Sequence, residues 1–216
     1  MKSEIFPGIL THNVEEYVTR LEMVEQSDVQ WAHLDFADGQ FVPNITVMPH
    51  EIMSIPSKLN LEAHMMTYAP ERYFSDLTVA GVSRVLLHRE AFEDLEKCAA
   101  ALKQAANYFA EVGLVLNPDT EIEKYNELPI QVIQFMGIHP GFSGQPFLDE
   151  TYDTVRKVRE QSLDVVYAVD GGVNEDNIKR LQKEGITRFV MTSQLFASNN
   201  VPQSVHYFIQ LVQGGI

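Results

Sequence analysis

Two histidines and two aspartates carry the first chemical signal in this chain: His33-Leu34-Asp35, then Ala63-His64, then Val169-Asp170 ahead of a Gly-Gly pair. His33 and Asp35 are two residues apart, and in an extended strand that spacing turns both side chains to one face. Two imidazoles and two carboxylates form an N₂O₂ donor set suited to one divalent metal ion. Zn²⁺ is the first choice, and Mn²⁺, Fe²⁺ or Co²⁺ become alternatives when substrate oxygens enlarge the coordination. Singly, each residue has an ordinary reading, a strand-end His as a hydrogen-bonded structural group and a strand-end Asp as the cap of the next helix. Together they weigh more, because two adjacent buried carboxylates cost on the order of several kcal/mol unless a cation neutralises them.

Two glycine-rich stretches add a second signal, Gly141-Phe142-Ser143-Gly144 and Gly171-Gly172, each lying between an apolar run and a helix-type run. Glycines let backbone N–H groups approach an anion closely, and helix N-termini present the positive end of the dipole, so a phosphate could be held there without a lysine. No Lys or Arg lies between residues 139 and 147 or between 170 and 177. Ordinary turn chemistry is the competing reading of such loops.

Positioning these groups requires a scaffold, and the chain alternates short β-type runs with helix-type runs from end to end. Strands are predicted at Glu4–Ile9, Trp31–Asp35, Leu61–His64, Val82–His88, Val112–Leu116, Val132–Met136, Val165–Asp170 and Arg188–Met191. Helices are predicted from Val14 to Val24 and near residues 50–53, 70–80, 95–106, 122–128, 148–161, 174–184 and 201–212. The first has Asn13 as N-cap and Glu16 as its capping partner. Eight such pairs predict an α/β fold, a (β/α)₈ TIM barrel in one domain spanning 1–216, with the four ligand candidates at the C-terminal ends of strands 2, 3 and 7, where such barrels keep their chemistry. Gly214-Gly215 predicts a frayed end.

Composition narrows the partners. The 216 residues are 45% hydrophobic and carry a net charge of −14, from 16 Lys+Arg against 30 Asp+Glu, with no basic tract. That balance repels nucleic acid and anionic membrane over most of the surface. No apolar run reaches membrane-spanning length, residues 1–7 lack the pattern of an export signal, and Cys98 is the single cysteine, so a cytoplasmic protein is expected.

The stretches His33-Leu34-Asp35-Phe36-Ala37-Asp38-Gly39, Ala63-His64-Met65-Met66, Pro140-Gly141-Phe142-Ser143-Gly144 and Val169-Asp170-Gly171-Gly172-Val173 together resemble the ribulose-phosphate 3-epimerase family, in order and spacing across nearly the whole chain. The resemblance implies a metal-dependent isomerase that inverts C3 of a ketose phosphate, D-ribulose 5-phosphate to D-xylulose 5-phosphate in the pentose phosphate pathway, with His33, Asp35, His64 and Asp170 binding the metal. Asp35 and Asp170 would then be the acid/base pair, one on each face of C3, acting through an enediolate. Substrate and phosphate contacts fall on Gly8, Met66, Gly141, Phe142, Ser143, Gly144, Gly171, Gly172, Thr192 and Ser193. Met65, Met66 and Met136 would form a dry cushion, or else ordinary core. The family also implies a homo-oligomer.

Several positions depart from the family pattern. Gly8 stands where the first strand usually ends in a substrate-contacting Ser, Ala37 where Met is usual, Ser143 where Gly is usual, and His139 where Asn, Asp or Glu is usual. Thr192-Ser193 replaces Gly-Ser after the eighth strand, where a Cβ restricts positive φ and would crowd an anion, unless the Thr hydroxyl donates to it instead. These changes surround the substrate and spare the ligands, which keeps open a hexulose phosphate such as allulose 6-phosphate, or a non-catalytic sugar-phosphate binder. A decarboxylase of the orotidine-monophosphate type would need a lysine near Asp35, and none lies between Trp31 and Lys58.

Overall fold

Strands with apolar residues on both faces are built for burial on both faces, and all eight predicted runs form strands of that kind. In a computed structural model describing residues 2–214, these are β1 (Glu4–Ile9), β2 (Trp31–Ala37), β3 (Asn60–Met66), β4 (Val82–His88), β5 (Glu111–Leu116), β6 (Val132–Met136), β7 (Val166–Asp170) and β8 (Arg188–Met191). Every neighbouring pair is parallel, and β8 closes on β1 with Pro7 opposite Met191, so the sheet is a closed barrel without edges. Alternation then divides the side chains. Leu34, Phe36, Ala63, Met65 and Val85 face outward into the main core, while Leu86, Val115, Val132, Met136 and Ala168 fill the interior.

The outer layer comprises α1 (Val14–Glu25), α2 (Pro49–Ile52), α3 (Phe74–Val79), α4 (Leu95–Ala105), α5 (Glu150–Arg159), α6 (Glu175–Lys183), α7 (Ser193–Phe196) and α8 (Val201–Val212). On α1, Tyr17, Leu21 and Val24 form the buried stripe, each Leu-sized side chain contributing about 1.5–3 kcal/mol by leaving water. Asn13 Oδ1 accepts from the Glu16 N–H at 2.9 Å, as expected of an N-cap. The carboxylate of Glu16, expected to return the favour, instead accepts from Arg20 Nη2 at 2.6 Å.

One predicted helix is absent. Residues 122–128 run as turns and irregular chain between β5 and β6. Pro129 disfavours a helical Leu128, and the backbone finds side-chain partners instead: Gln161 Oε1 accepts from the Tyr125 N–H at 2.9 Å, and Gln161 Nε2 donates to the Glu123 carbonyl at 2.8 Å. Ile122 and Leu128, read as a helical stripe, still pack against the core.

At the N-terminal end of the barrel Arg84 is almost fully buried, donating to Glu62 Oε2 at 2.7 Å and Glu111 Oε2 at 2.8 Å, with its guanidinium 3.8 Å from the centroid of the Trp31 ring. No described helix is long and apolar enough to cross a membrane. Gly214 follows α8 with φ +76, and Gly215 lies outside the described residues.

Candidate metal centre

Period-two alternation turns His33 and Asp35 inward from β2. Strand register sets Asp35 beside His64 of β3, and Asp170 ends β7 beside Met136 of β6. All four predicted ligands therefore meet at the C-terminal mouth, one donor atom from each lying within 4.8 Å of every other. His64 Nδ1 is 2.9 Å from Asp35 Oδ1 and 3.4 Å from Asp170 Oδ2. His33 Nε2 is 3.5 Å from Asp35 Oδ1 and 3.6 Å from Asp170 Oδ2.

The donor set fits one divalent ion. His33 Nε2 is buried with no hydrogen-bond partner among the described residues, although two carboxylates face it just beyond bonding distance. Such an orphaned nitrogen is costly unless a ligand claims it. The other His33 nitrogen, Nδ1, donates to Glu62 Oε1 at 2.7 Å, so Nε2 is the nitrogen left facing the carboxylates and available to a cation. Burial disfavours a charged imidazole, yet the carboxylates of Asp170, Asp35 and Glu62 outweigh it and hold His33 well above its usual pKa. His64 is raised against the same burial by Asp170 and Asp35. Asp170 runs the other way: burial alone would raise it, but the two imidazoles hold it well below the carboxylate range.

Above the four ligands lies a narrow cleft, open to solvent. Its walls include Asp35, His64, Met66, Met136, the Gly141-Phe142-Ser143-Gly144 loop, Asp170-Gly171-Gly172, Thr192 and Ser193. Gly8 is not in the wall, because Thr192 covers it: a Cβ on Gly8 would run into Thr192 Oγ1 and lie 3.3 Å from Val190 Cγ1. Thr192 itself has φ −114, so the restriction expected from a Cβ at a positive-φ position does not arise. Met65 stands on the outer face of β3 in the main core, so of the three methionines only Met66 and Met136 reach the cavity.

The glycine loops are held open by their backbone. Gly172 has φ +68, and a Cβ there would fall 2.7 Å from Phe147 Cα, which reserves the position for glycine. Asn44 Nδ2 donates to the Gly141 carbonyl at 2.6 Å, and Gln145 Nε2 to the Phe142 carbonyl at 2.7 Å, tying the sixth loop down. Among the described residues no protein acceptor faces the N–H groups of Gly144, Gly172 or Val173.

Three polar residues of the centre were not singled out in the sequence: Glu62, His88 and Glu90. His64 Nε2 lies 2.8 Å from His88 Nε2, and His88 Nδ1 lies 3.1 Å from Glu90 Oε2. The available signal was the one used for His64, since His88 also ends a strand predicted to the residue.

A family model described as the ribulose-phosphate 3 epimerase family matches residues 4–196. A ribulose-phosphate 3-epimerase of Synechocystis sp. is 30% identical over 93% of this chain and 90% of its own length, and one of Chlamydia muridarum is 32% identical over 82% and 81%. Among solved structures, KGPDC from Streptococcus mutans superposes with a TM-score of 0.72 at 12% identity, covering 99% of each chain. The phosphoribosyl anthranilate isomerase of Thermus thermophilus gives 0.67 at 13%, covering 99% of this chain and all of its own. At those identities the structures share the barrel fold alone.

Proposed function

Because the chain belongs to the ribulose-phosphate 3-epimerase family, we propose that it inverts C3 of a ketose phosphate, interconverting D-ribulose 5-phosphate and D-xylulose 5-phosphate. The observation that carries this reading is the meeting of Asp35 and Asp170, brought from β2 and β7, at one buried centre with His33 and His64. Inversion needs a proton acceptor on one side of the carbon and a donor on the other, and binding alone would need neither. Asp35 and Asp170 act as a pair that holds one proton: one takes the C3 proton from one face while the other returns its proton to the opposite face, and the roles exchange in the reverse direction. One proton is shared by the pair, so the charge of the site is the same before and after.

The four donors suit Zn²⁺, with Mn²⁺, Fe²⁺ or Co²⁺ as alternatives, held through His33 Nε2, Asp35 Oδ1, His64 Nδ1 and Asp170 Oδ2. When bound, the ion supplies electrophilic stabilisation of the negative charge that builds on the substrate as C3 loses its proton. General acid/base action by the aspartates contributes about 10²–10⁴-fold. Met66 and Met136 keep the reacting end dry, and the free N–H groups of the Gly141–Gly144 and Gly171-Gly172 loops, with Thr192 and Ser193 alongside, receive the phosphate. The cavity wall has no Lys or Arg, so the anion depends on these amides. A reducing cytoplasm suits the lone buried thiol of Cys98, whose pKa burial pushes up to about 12, and the exposed Ile45 and Tyr68 on the loops after β2 and β3 offer apolar surface to a second copy in a homo-oligomer.

The test is a screen of pentulose and hexulose phosphates and the free ketoses for C3 inversion, with metal measured on the same sample. The proposal expects kcat/KM for a phosphorylated pentulose to exceed that for the free sugar by at least about 10²-fold, as remote binding energy requires. Equal values would remove the phosphate cradle, and absence of inversion with every ketose phosphate would remove the epimerase.

A further inference from the structure

A histidine binds metal through a nitrogen that carries no proton, so the tautomer of each ring decides which nitrogen is available. For His64 that nitrogen is Nδ1, which faces Asp35 and Asp170, and the opposite nitrogen, Nε2, faces His88 Nε2 at 2.8 Å. An N···N contact of that length holds one proton, and nothing in the two rings alone says which ring owns it.

The next layer decides it. His88 Nδ1 meets Glu90 Oε2 at 3.1 Å, and Glu90 also accepts from the Asn117 N–H at 2.9 Å and from the Thr120 hydroxyl. A carboxylate gathering donors in this way is an acceptor only, so the proton between His88 and Glu90 sits on His88 Nδ1. With Nδ1 protonated, neutral His88 has only a lone pair at Nε2 and must accept from His64. The shared proton therefore belongs to His64 Nε2, and His64 Nδ1 is the nitrogen left for a cation.

We infer that Glu90, acting through His88, is a positioning residue that fixes His64 as an Nδ1 ligand, the counterpart of what Glu62 does directly for His33 as an Nε2 ligand. The inference rests on the metal reading of the centre and deepens it. It also explains why a histidine that does not itself line the cavity is buried at the end of β4.

The experiment uses the full chain labelled with ¹⁵N, first stripped of metal and then titrated with Co²⁺. In the metal-free wild type the proton of the His64–His88 bond should show its one-bond coupling to His64 Nε2. Glu90→Gln is nearly isosteric, but its amide can either donate or accept, so the proton should divide between the rings. Co²⁺ should then bind about 10–100-fold more weakly, as found when the partners of metal-bound histidines are removed. Glu90→Asp keeps the carboxylate and should lie nearer the wild type on both readouts. A merely structural role, tying down the loop at residues 117–120, would lower thermal stability in Glu90→Gln and leave the proton on His64. That result, or a wild-type proton residing on His88 Nε2, would overturn the inference. If wild type bound no Co²⁺, the metal reading would fall, and the proton assignment would still be decided by the metal-free spectrum.

Discussion

The hydroxyl of Thr192 occupies the space that a side chain at Gly8 would need. The two positions are sterically complementary: the bare glycine near the end of the first strand leaves the room that the hydroxyl at the end of the eighth takes up. This is a steric exchange, so the two substitutions should not act independently.

Gly8→Ser alone should cost about 1–3 kcal/mol by overpacking against Thr192 and Val190. Thr192→Gly alone should lower kcat/KM by removing the hydroxyl from the cavity wall. The double variant should recover most of both losses. Denaturant unfolding and ketose-phosphate kinetics on the four proteins close the cycle, and strict additivity would show that the side chains do not compete for one space.

Arg84 is buried between Glu62 and Glu111, so Arg84→Met should leave a carboxylate without its partner and destabilise the fold by about 3–5 kcal/mol. Adding Glu62→Gln should return part of that stability but weaken metal binding, because a neutral amide in place of the carboxylate no longer holds His33 in one tautomer with a full charge. Unfolding midpoints and Co²⁺ titration check the two halves. A fully stable Arg84→Met would mean that Glu62 is neutral or finds another donor.

Metal binding should depend on pH with a definite sign. His33 and His64 both lie above 6.5 in the bare protein, held there by Asp170 and Asp35 against the opposing effect of burial. A cation must displace those protons, so affinity should keep rising above pH 6.5, by about tenfold per pH unit for each proton released, and level off only beyond the raised values. Calorimetry in two buffers of different ionisation enthalpy counts the protons directly. Affinity flat between pH 6 and 8 would contradict the protonated pairs.

The barrel was legible because eight apolar runs recur with helix-type stripes between them, and the ligands were legible because His33, Asp35, His64 and Asp170 end those runs with matching parity. Ile122–Leu128 misled because apolar residues three and six apart can anchor an irregular loop to the core as well as a helix. For Met65 parity decides between the two open readings: it lies between His64 and Met66, so it faces outward as ordinary core. The relation of Gly8 to Thr192 and the line from Glu90 through His88 to His64 depend on contacts between different strands, which no single stretch of sequence displays. In the sequence Thr192 is at once an obstacle to an anion through its Cβ and a donor to it through its hydroxyl. Its φ of −114 removes the backbone part of that objection.

The account stands most directly on two acids delivering protons to one sugar carbon. In D₂O, the metal-loaded protein should convert D-ribulose 5-phosphate to D-xylulose 5-phosphate with deuterium entering at C3, and Asp170→Asn should lower turnover by at least about 10²-fold while remaining folded. Conversion that retains the original C3 hydrogen in every product molecule, or an Asp170→Asn variant with full activity, would contradict it.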